Sequence, residues 1–356
     1  MKHRTPSHSR FHSALPRRSP FAGAAAAGTL LAVPLAVSAQ NQSLSFTGGV
    51  LLNTQVHFRH LGSHVSASQP GPDSGSAVNR TYDDGYNRVD AAGNEDGTTA
   101  HWGYRNSAQI RPDGMAFHAA TDPATVSASN VGDFISPSAN LEYRGSLGPV
   151  GTADWGVLLG FGYHSVGGTF RTAVSTPVTI LQDLYSFADT DPASLPPPPY
   201  SGLADSPGPR LGSVPARSTR LDPAGRFLEG TWELETDLFP ITGGVYLEAQ
   251  LAGRLNGVAS AGMLALLVSG NHRYSERSTV DPLPPVTAGA RHSFSDFLIG
   301  GFVQLGLDWA LWERASLVAS ARWQPAQKFH HRANGREAEI DFTTSFAVHA
   351  GFSMRF

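Results

Sequence analysis

The chain has 356 residues, 40% of them hydrophobic and only 15% charged, with 38 glycines and no cysteine. The lack of cysteine excludes a disulfide framework and a thiolate site, and a net charge of −3 leaves no electrostatic footprint for nucleic acid. Past the N-terminal region no apolar run reaches the roughly 18 residues that a membrane helix requires.

The first element is a targeting segment. Residues 1–20 carry Lys2, Arg4, Arg10, Arg17 and Arg18 and no acid; the apolar stretch Phe21–Ala36 follows, then the small residues Val37-Ser38-Ala39. That order predicts a secretory signal, residues 1–39, cleaved near Ala39 after Sec export. A single anchoring helix is the alternative, but Pro34 and the alanine run 24–27 suit a cleaved segment better. The Arg17-Arg18 pair faintly suggests a twin-arginine signal, a route that carries folded proteins, whereas a barrel must insert unfolded. Without the five cations of the leader, the net charge of −3 becomes −8 for residues 40–356.

From residue 40 onward the rhythm is dyadic. Phe46, Gly48, Val50, Leu52, Thr54, Val56 and Phe58 alternate with Thr47, Gly49, Leu51, Asn53, Gln55 and His57. Alternate strand residues face opposite sides, so such a run has an apolar face and a polar or small face. The same reading gives Leu141, Tyr143, Gly145 and Leu147 against Glu142, Arg144 and Ser146, then Trp155 to Tyr163 against Gly156 to His164. Trp232, Leu234, Thr236 and Leu238 oppose Glu233, Glu235 and Asp237, and Pro240 suggests a bulge or kink in that strand. Phe297 to Trp309 and Leu317 to Trp323 follow, and Asn334-Gly335 signals a hairpin. The last strand alternates from Ile340 to Phe356.

Eight strands result, at about 43–60, 136–147, 152–173, 224–250, 257–277, 291–310, 315–331 and 336–356. Links two, four and six are short. Links one, three and five are long (61–135, 174–223 and 278–290), and only the seventh, at Asn334-Gly335, is short on the long side. Short periplasmic turns opposite longer extracellular loops are the asymmetry of a bacterial membrane barrel. The reading is therefore all-β: residues 40–356 form an eight-stranded antiparallel up-and-down transmembrane β-barrel with long extracellular loops. Gln109–Ala119 is read as a short hairpin above the membrane; counting it as spanning would give ten strands.

The segment FAVHAGFSMRF, Phe346–Phe356, resembles the carboxyl-terminal strand of Gram-negative outer-membrane barrels. In that superfamily this strand is recognised by the periplasmic barrel-assembly machinery, so the resemblance implies an insertion signal at Phe352, Met354 and Phe356; Met354 stands where an aromatic is common. Asn79–Tyr86, His101–Tyr104 with Asn106, Leu234–Leu238 and Gly335–Ala338 are similar to a group of outer-membrane barrels of the eight-stranded, outer-membrane-protein-A-like kind. The likeness implies a cell outer-membrane location, contact with lipid and lipopolysaccharide, and no activity.

The polar face gathers Glu142, Arg144, Glu233, Glu235, Asp237, Arg322, Glu339, Asp341 and Arg355. An eight-stranded barrel is just wide enough for side chains to fill it, so these residues are expected to form a lumen network, with Arg144, Arg322 or Arg355 as candidate gate residues. His164-Ser165 and His330-His331 are adjacent and must face opposite sides, which argues against a nucleophile–base pair. The acidic run Asp83, Asp84, Asp90, Asn94, Glu95 and Asp96 lacks EF-hand spacing and reads as solvated turns. Trp155, Tyr163, Trp232, Trp309, Trp312 and Trp323 are expected in interfacial girdles. The function expected is structural or adhesive, without catalysis or cofactor, through loops that meet an extracellular partner. A narrow, porin-like pore is the alternative, and an outer-membrane hydrolase the second.

Overall fold

A computed structural model describes residues 42–63, 68–121, 123–129, 131 and 133–356; the expected signal, residues 1–39, lies outside them. Eight strands make a closed antiparallel ring. They are β1 (Gln42–Leu61), β2 (Asp133–Val150), β3 (Ala153–Tyr185), β4 (Ala216–Ala252), β5 (Leu255–Val280), β6 (Val286–Trp312), β7 (Ala315–Trp323) and β8 (Phe346–Arg355). Each pairs with the next, and β8 returns to β1 with Ser43 opposite Arg355 and Leu52 opposite Phe346. Closure leaves no unpaired edge. Residues 151–152, 253–254 and 313–314 turn the chain at one end, with Gly151 and Gly253 at positive φ. The remaining links lie at the other end; the third is shorter than expected, 186–215 in place of 174–223, and the fifth is only 281–285 in place of 278–290, because the strands run on past the expected ends.

The wall has two levels of opposite polarity. Near the short turns, Phe46, Leu141, Trp155, Phe161, Ile241, Leu247, Met263, Ile299, Leu305 and Phe352 are exposed on the outside, while Ser45, Thr47, Asn140, Glu142, Arg144, Gln304 and Arg322 are buried inside. Along β4 the apolar outer face runs from Phe239 to Leu251, and along β6 from Phe297 to Trp309. Either covers the roughly 9–11 residues of a membrane-spanning strand. Trp155, Trp309 and Trp312 mark the lower margin of this band, and Tyr163 and Trp323 its upper margin.

Above the band the polarity inverts. Leu51, Val56, Phe58, Val166, Leu228, Trp232, Leu234, Leu238, Leu266, Val268, Leu298 and Ile340 pack into an apolar core inside the barrel. The outer wall at this height carries Glu233 paired with Arg273 (3.4 Å) and Glu229 with Arg277 (3.9 Å), each pair directly opposed across β4 and β5. The strands of this barrel thus continue well past the apolar band.

Several expectations change here. Glu233, Glu235 and Asp237 face outward, because at their level it is the lumen that holds the apolar side chains. Trp232 is fully buried in that lumen core and belongs to no girdle. The apolar face read continuously from Phe46 to Phe58 is broken at Asn53, which has φ 60; the register of β1 against β2 shifts between Leu51 and Thr54. Pro240 causes no bulge, for the β4–β5 register is unbroken around it.

The seventh link is also longer than expected. β7 ends at Trp323, and the hairpin Phe329–Ala333 with Arg336–Asp341 intervenes before β8. Asp341 accepts hydrogen bonds from the Thr343 N–H and hydroxyl, closing a turn that interrupts the final strand. Ile340 and Phe342 consequently join the lumen core, whereas Phe346 and the residues after it alternate toward the outside as expected.

Links one and three fold into a cap. Gly114–Thr121 pairs with the top of β3 (Thr179–Tyr185), so the predicted extra hairpin sits on the rim without adding a spanning strand. Arg80–Tyr82, Gly85–Asn87, Trp102–Tyr104 and Tyr200–Ser201 form a small antiparallel sheet. Tyr82, Trp102, Tyr104, Phe117, Tyr185 and Leu211 pack into its core.

Candidate functional site

Three strands bring together the lumen network at the level of the apolar outer band. Arg322 on β7 donates from Nε to Gln304 Oε1 (2.6 Å) and from its Nη2 to Glu142 Oε2 (2.9 Å); its Nη1 lies 3.4 Å from Asn140 Oδ1. Gln304 donates to the same Glu142 oxygen (3.2 Å). Arg322 is 1% exposed and Glu142 3%, and charges so far from bulk water persist only with such partners. Nearer the short turns, Arg144 lies among Glu142 (3.3 Å), Glu248 (3.7 Å) and Asp308 (3.8 Å). Arg355 donates to Glu248 (2.5 Å) at the mouth.

The space left beside this network is about 20 Å³, enough for about one water. One level higher, His349 and Ser138 share a 2.8 Å hydrogen bond, and Gln324 donates toward His164 at 3.4 Å. The apolar core follows. Two successive seals of different chemistry therefore fill the lumen.

Of the nine residues expected in the lumen, Glu142, Arg144, Arg322 and Arg355 meet there. Glu339 and Asp341 do not. They belong to the hairpin before β8, on the same side of the wall as His57 and Arg59, because Val56 and Ile340 take the lumen side of that pairing. Arg59, Lys328 and His330 cover Glu339, at 2.8, 3.2 and 3.7 Å, and Lys328 also reaches Asp341 at 2.7 Å. Burial opposes the charge on Asp341, but hydrogen bonds from Lys328 and Thr343 outweigh it and bring its pKa down to about 2. Gln304, Asp308, Glu248, His164 and His349 are lumen residues that the sequence reading left out of the network. Carrying the inward parity along β4, β6 and β8 identifies Glu248, Asp308 and His349.

The cap is organised by buried charge. Asp183, fully buried, accepts two hydrogen bonds from Arg217 (2.8 and 2.7 Å) and one from Tyr82 (2.5 Å), whose hydroxyl also meets that of Tyr185. Burial, with Tyr185 and Asp183 alongside, drives the Tyr82 phenol far above its ordinary range. Arg80 is equally buried and donates to the carbonyls of Pro72, Ser74, Gly75 and Ser213. The motif Asn79–Tyr86 is thus a building element of the cap.

The acidic run is not made of solvated turns throughout, since Asp84, Asp90 and Asn94 are buried. Asp84 accepts from the His118 N–H (2.8 Å) and approaches its Nδ1 (2.7 Å), while Asp90 accepts from Ala100 N–H (2.9 Å). Their oxygens hold the loop together. Glu95 and Asp96 lie open, Asp96 accepting from Thr98 N–H and pairing with Arg210 at 3.1 Å. His164 points into the lumen and Ser165 away from it, as adjacency requires. A cleft of about 490 Å³ opens between cap and rim, with Tyr82, Arg105, Pro123, Val280, Leu283 and Pro284 among its walls.

No family model matches the chain, and no curated protein matches it. Solved structures do. The outer membrane protein OprG from Pseudomonas aeruginosa is 9% identical, with 89% of this chain and 95% of that one covered and a TM-score of 0.34. The outer membrane protease OmpT from Escherichia coli is 10% identical, with coverages of 90% and 98% and a TM-score of 0.27. Ail, the attachment invasion locus protein of Yersinia pestis, is 10% identical, with coverages of 89% and 98% and a TM-score of 0.23. The ring of eight strands described above is read from this chain's own pairing.

Proposed function

We propose that the protein is an outer-membrane β-barrel with a sealed lumen, whose role is structural or adhesive and is exercised by its cap toward an extracellular partner or lipopolysaccharide. The doubly filled lumen beneath a folded cap carries this reading. A barrel built to pass solute needs a continuous polar path, yet here an ion-pair layer is followed by an apolar one. The apolar outer band supports a lipid setting, because a closed ring satisfies every strand's backbone groups without water. Phe352, Met354 and Phe356, each more than 60% exposed on that band, are the residues we assign to recognition by the assembly machinery. Catalysis is not part of the proposal.

A second reading, a gated narrow pore, has one observation in its favour. Arg144 Nε and Nη1 have no hydrogen-bond partner although three carboxylates stand within 4 Å of the guanidinium, so it has alternative partners to switch between. Conductance across planar bilayers separates the two. The sealed barrel is silent over a wide voltage range. Steady openings in the native protein that change with Arg322→Ala overturn the first reading in favour of the second.

A further inference from the structure

Three histidines converge at the upper mouth of the lumen. His272 on β5 and His292 on β6 are directly opposed across the strand pair, and His331 comes from the hairpin strand Phe329–Ala333. Directly opposed residues of an antiparallel pair project to the same face with their Cβ atoms about 5 Å apart. The ring of His331 lies 5.7 Å from that of His272 and 6.4 Å from that of His292, centre to centre.

His272 is 0% exposed, and neither of its ring nitrogens has a hydrogen-bond partner; His331 Nε2 is buried and unpartnered as well. An imidazole with no partner at all is an expensive way to fill apolar space: a buried polar group left unsatisfied costs about 1–3 kcal/mol, and Phe would pack beside Phe58 and Tyr274 without that cost. A neutral imidazole has a lone pair to donate to a metal, and both ring nitrogens of His272 are free of protein partners. The nearest fixed charge, Arg336, is already engaged by Glu276 and by the face of Tyr274.

We propose that His272, His292 and His331 form a trihistidine site for a divalent transition metal of the zinc or copper type. Imidazole is the ligand that suits these ions. With metal–nitrogen bonds of about 2.0–2.1 Å, two rings sharing one ion sit with their centres roughly 5 Å apart. His331 stands 5.7 Å from His272 and 6.4 Å from His292, so the rings must turn inward to share one ion. His292 and His331 are half-buried, and His292 Nε2 accepts a 3.3 Å hydrogen bond from the amide of the exposed Asn334, which an ion entering from the rim would displace. This site is separate from the carboxylate cluster around Glu339, whose charges Arg59 and Lys328 already meet.

The test uses the purified full barrel in detergent, stripped by chelator and titrated calorimetrically with Zn²⁺, with Cu²⁺ as a spectroscopic probe. One ion per chain is expected, with a Cu²⁺ paramagnetic resonance spectrum showing several imidazole nitrogens. His292→Ala and His331→Ala, both at half-buried positions, should each weaken Zn²⁺ by roughly tenfold or more. His57→Ala and His330→Ala, in the neighbouring cluster, should leave affinity unchanged. Fold is checked for every variant by unboiled gel mobility. The proposal is overturned if the native protein binds no more tightly than the His272→Phe, His292→Ala, His331→Ala triple variant, if affinity falls with His57→Ala or His330→Ala instead, or if the native Cu²⁺ spectrum lacks imidazole nitrogen.

Discussion

Leu51 and Thr54 both point into the lumen although they lie three positions apart in a strand where every second residue should do so. Asn53 makes this possible. Its left-handed backbone inserts one extra residue into β1, and its side-chain amide donates to the Thr344 carbonyl at 3.0 Å. The bulge changes which residues face inward at about the height where the outer wall passes from apolar to polar. Below it β1 shows Phe46 on the outside; above it Val56 and Phe58 enter the core.

Asn tolerates that conformation and a β-branched residue does not. Asn53→Val should therefore destabilise the barrel by about 1–3 kcal/mol, while Asn53→Gly stays near native. Denaturant unfolding in detergent, followed by tryptophan fluorescence, measures both. Equal stability of the two variants would show that the bulge is not set at Asn53.

The Arg322–Glu142 pair is the centre of the lower seal. Glu142→Gln should leave a buried guanidinium without its counter-charge and destabilise by about 3–5 kcal/mol, the usual consequence of breaking one side of a buried pair. Replacing both partners, as Arg322→Met with Glu142→Leu, should recover much of the loss. The same unfolding assay reads both, and an additive double variant would count against the pairing.

In the cap, Asp183→Asn removes the counter-charge of Arg217, whose hydrogen bonds to Asp183 hold its pKa above the ordinary value. The cap should then open on its own while the eight-stranded ring stays intact. Limited proteolysis should cut within residues 68–121 several times faster, with unboiled gel mobility preserved. Tyr82→Phe, which loses one hydrogen bond to the same carboxylate, should have a smaller effect, about 0.5–1.5 kcal/mol.

On the outer wall, Asp341 has its folded pKa lowered to about 2 from an ordinary 3.8. A depressed carboxylate stabilises the folded form above its unfolded pKa, and this contribution is lost as pH falls through the folded value. The hairpin should thus keep this contribution down to about pH 4 and lose it toward pH 2. Carboxyl NMR titration should place the Asp341 midpoint near 2, and Lys328→Met should move it upward. An unmoved midpoint would mean that Lys328 does not hold it.

By itself the sequence determined the strand rhythm, the ring of eight, the short turns after the second, fourth and sixth strands, and the inward placing of Glu142, Arg144, Arg322 and Arg355. These are legible because side-chain parity is a local property of extended backbone, fixed residue by residue. What only the tertiary structure decided is what each face meets. Parity separates Trp232 from Glu233, but whether the inner side is the apolar one depends on the height of that pair above the apolar outer band, which the lengths and tilts of eight strands set together. The same holds for Asn53, where one bulge reverses a face, and for Glu339, which a turn at residues 341–343 removes from the lumen. The cap and the three-histidine cluster lie furthest from local reading, for they join residues from different links and strands that become neighbours only when the ring closes.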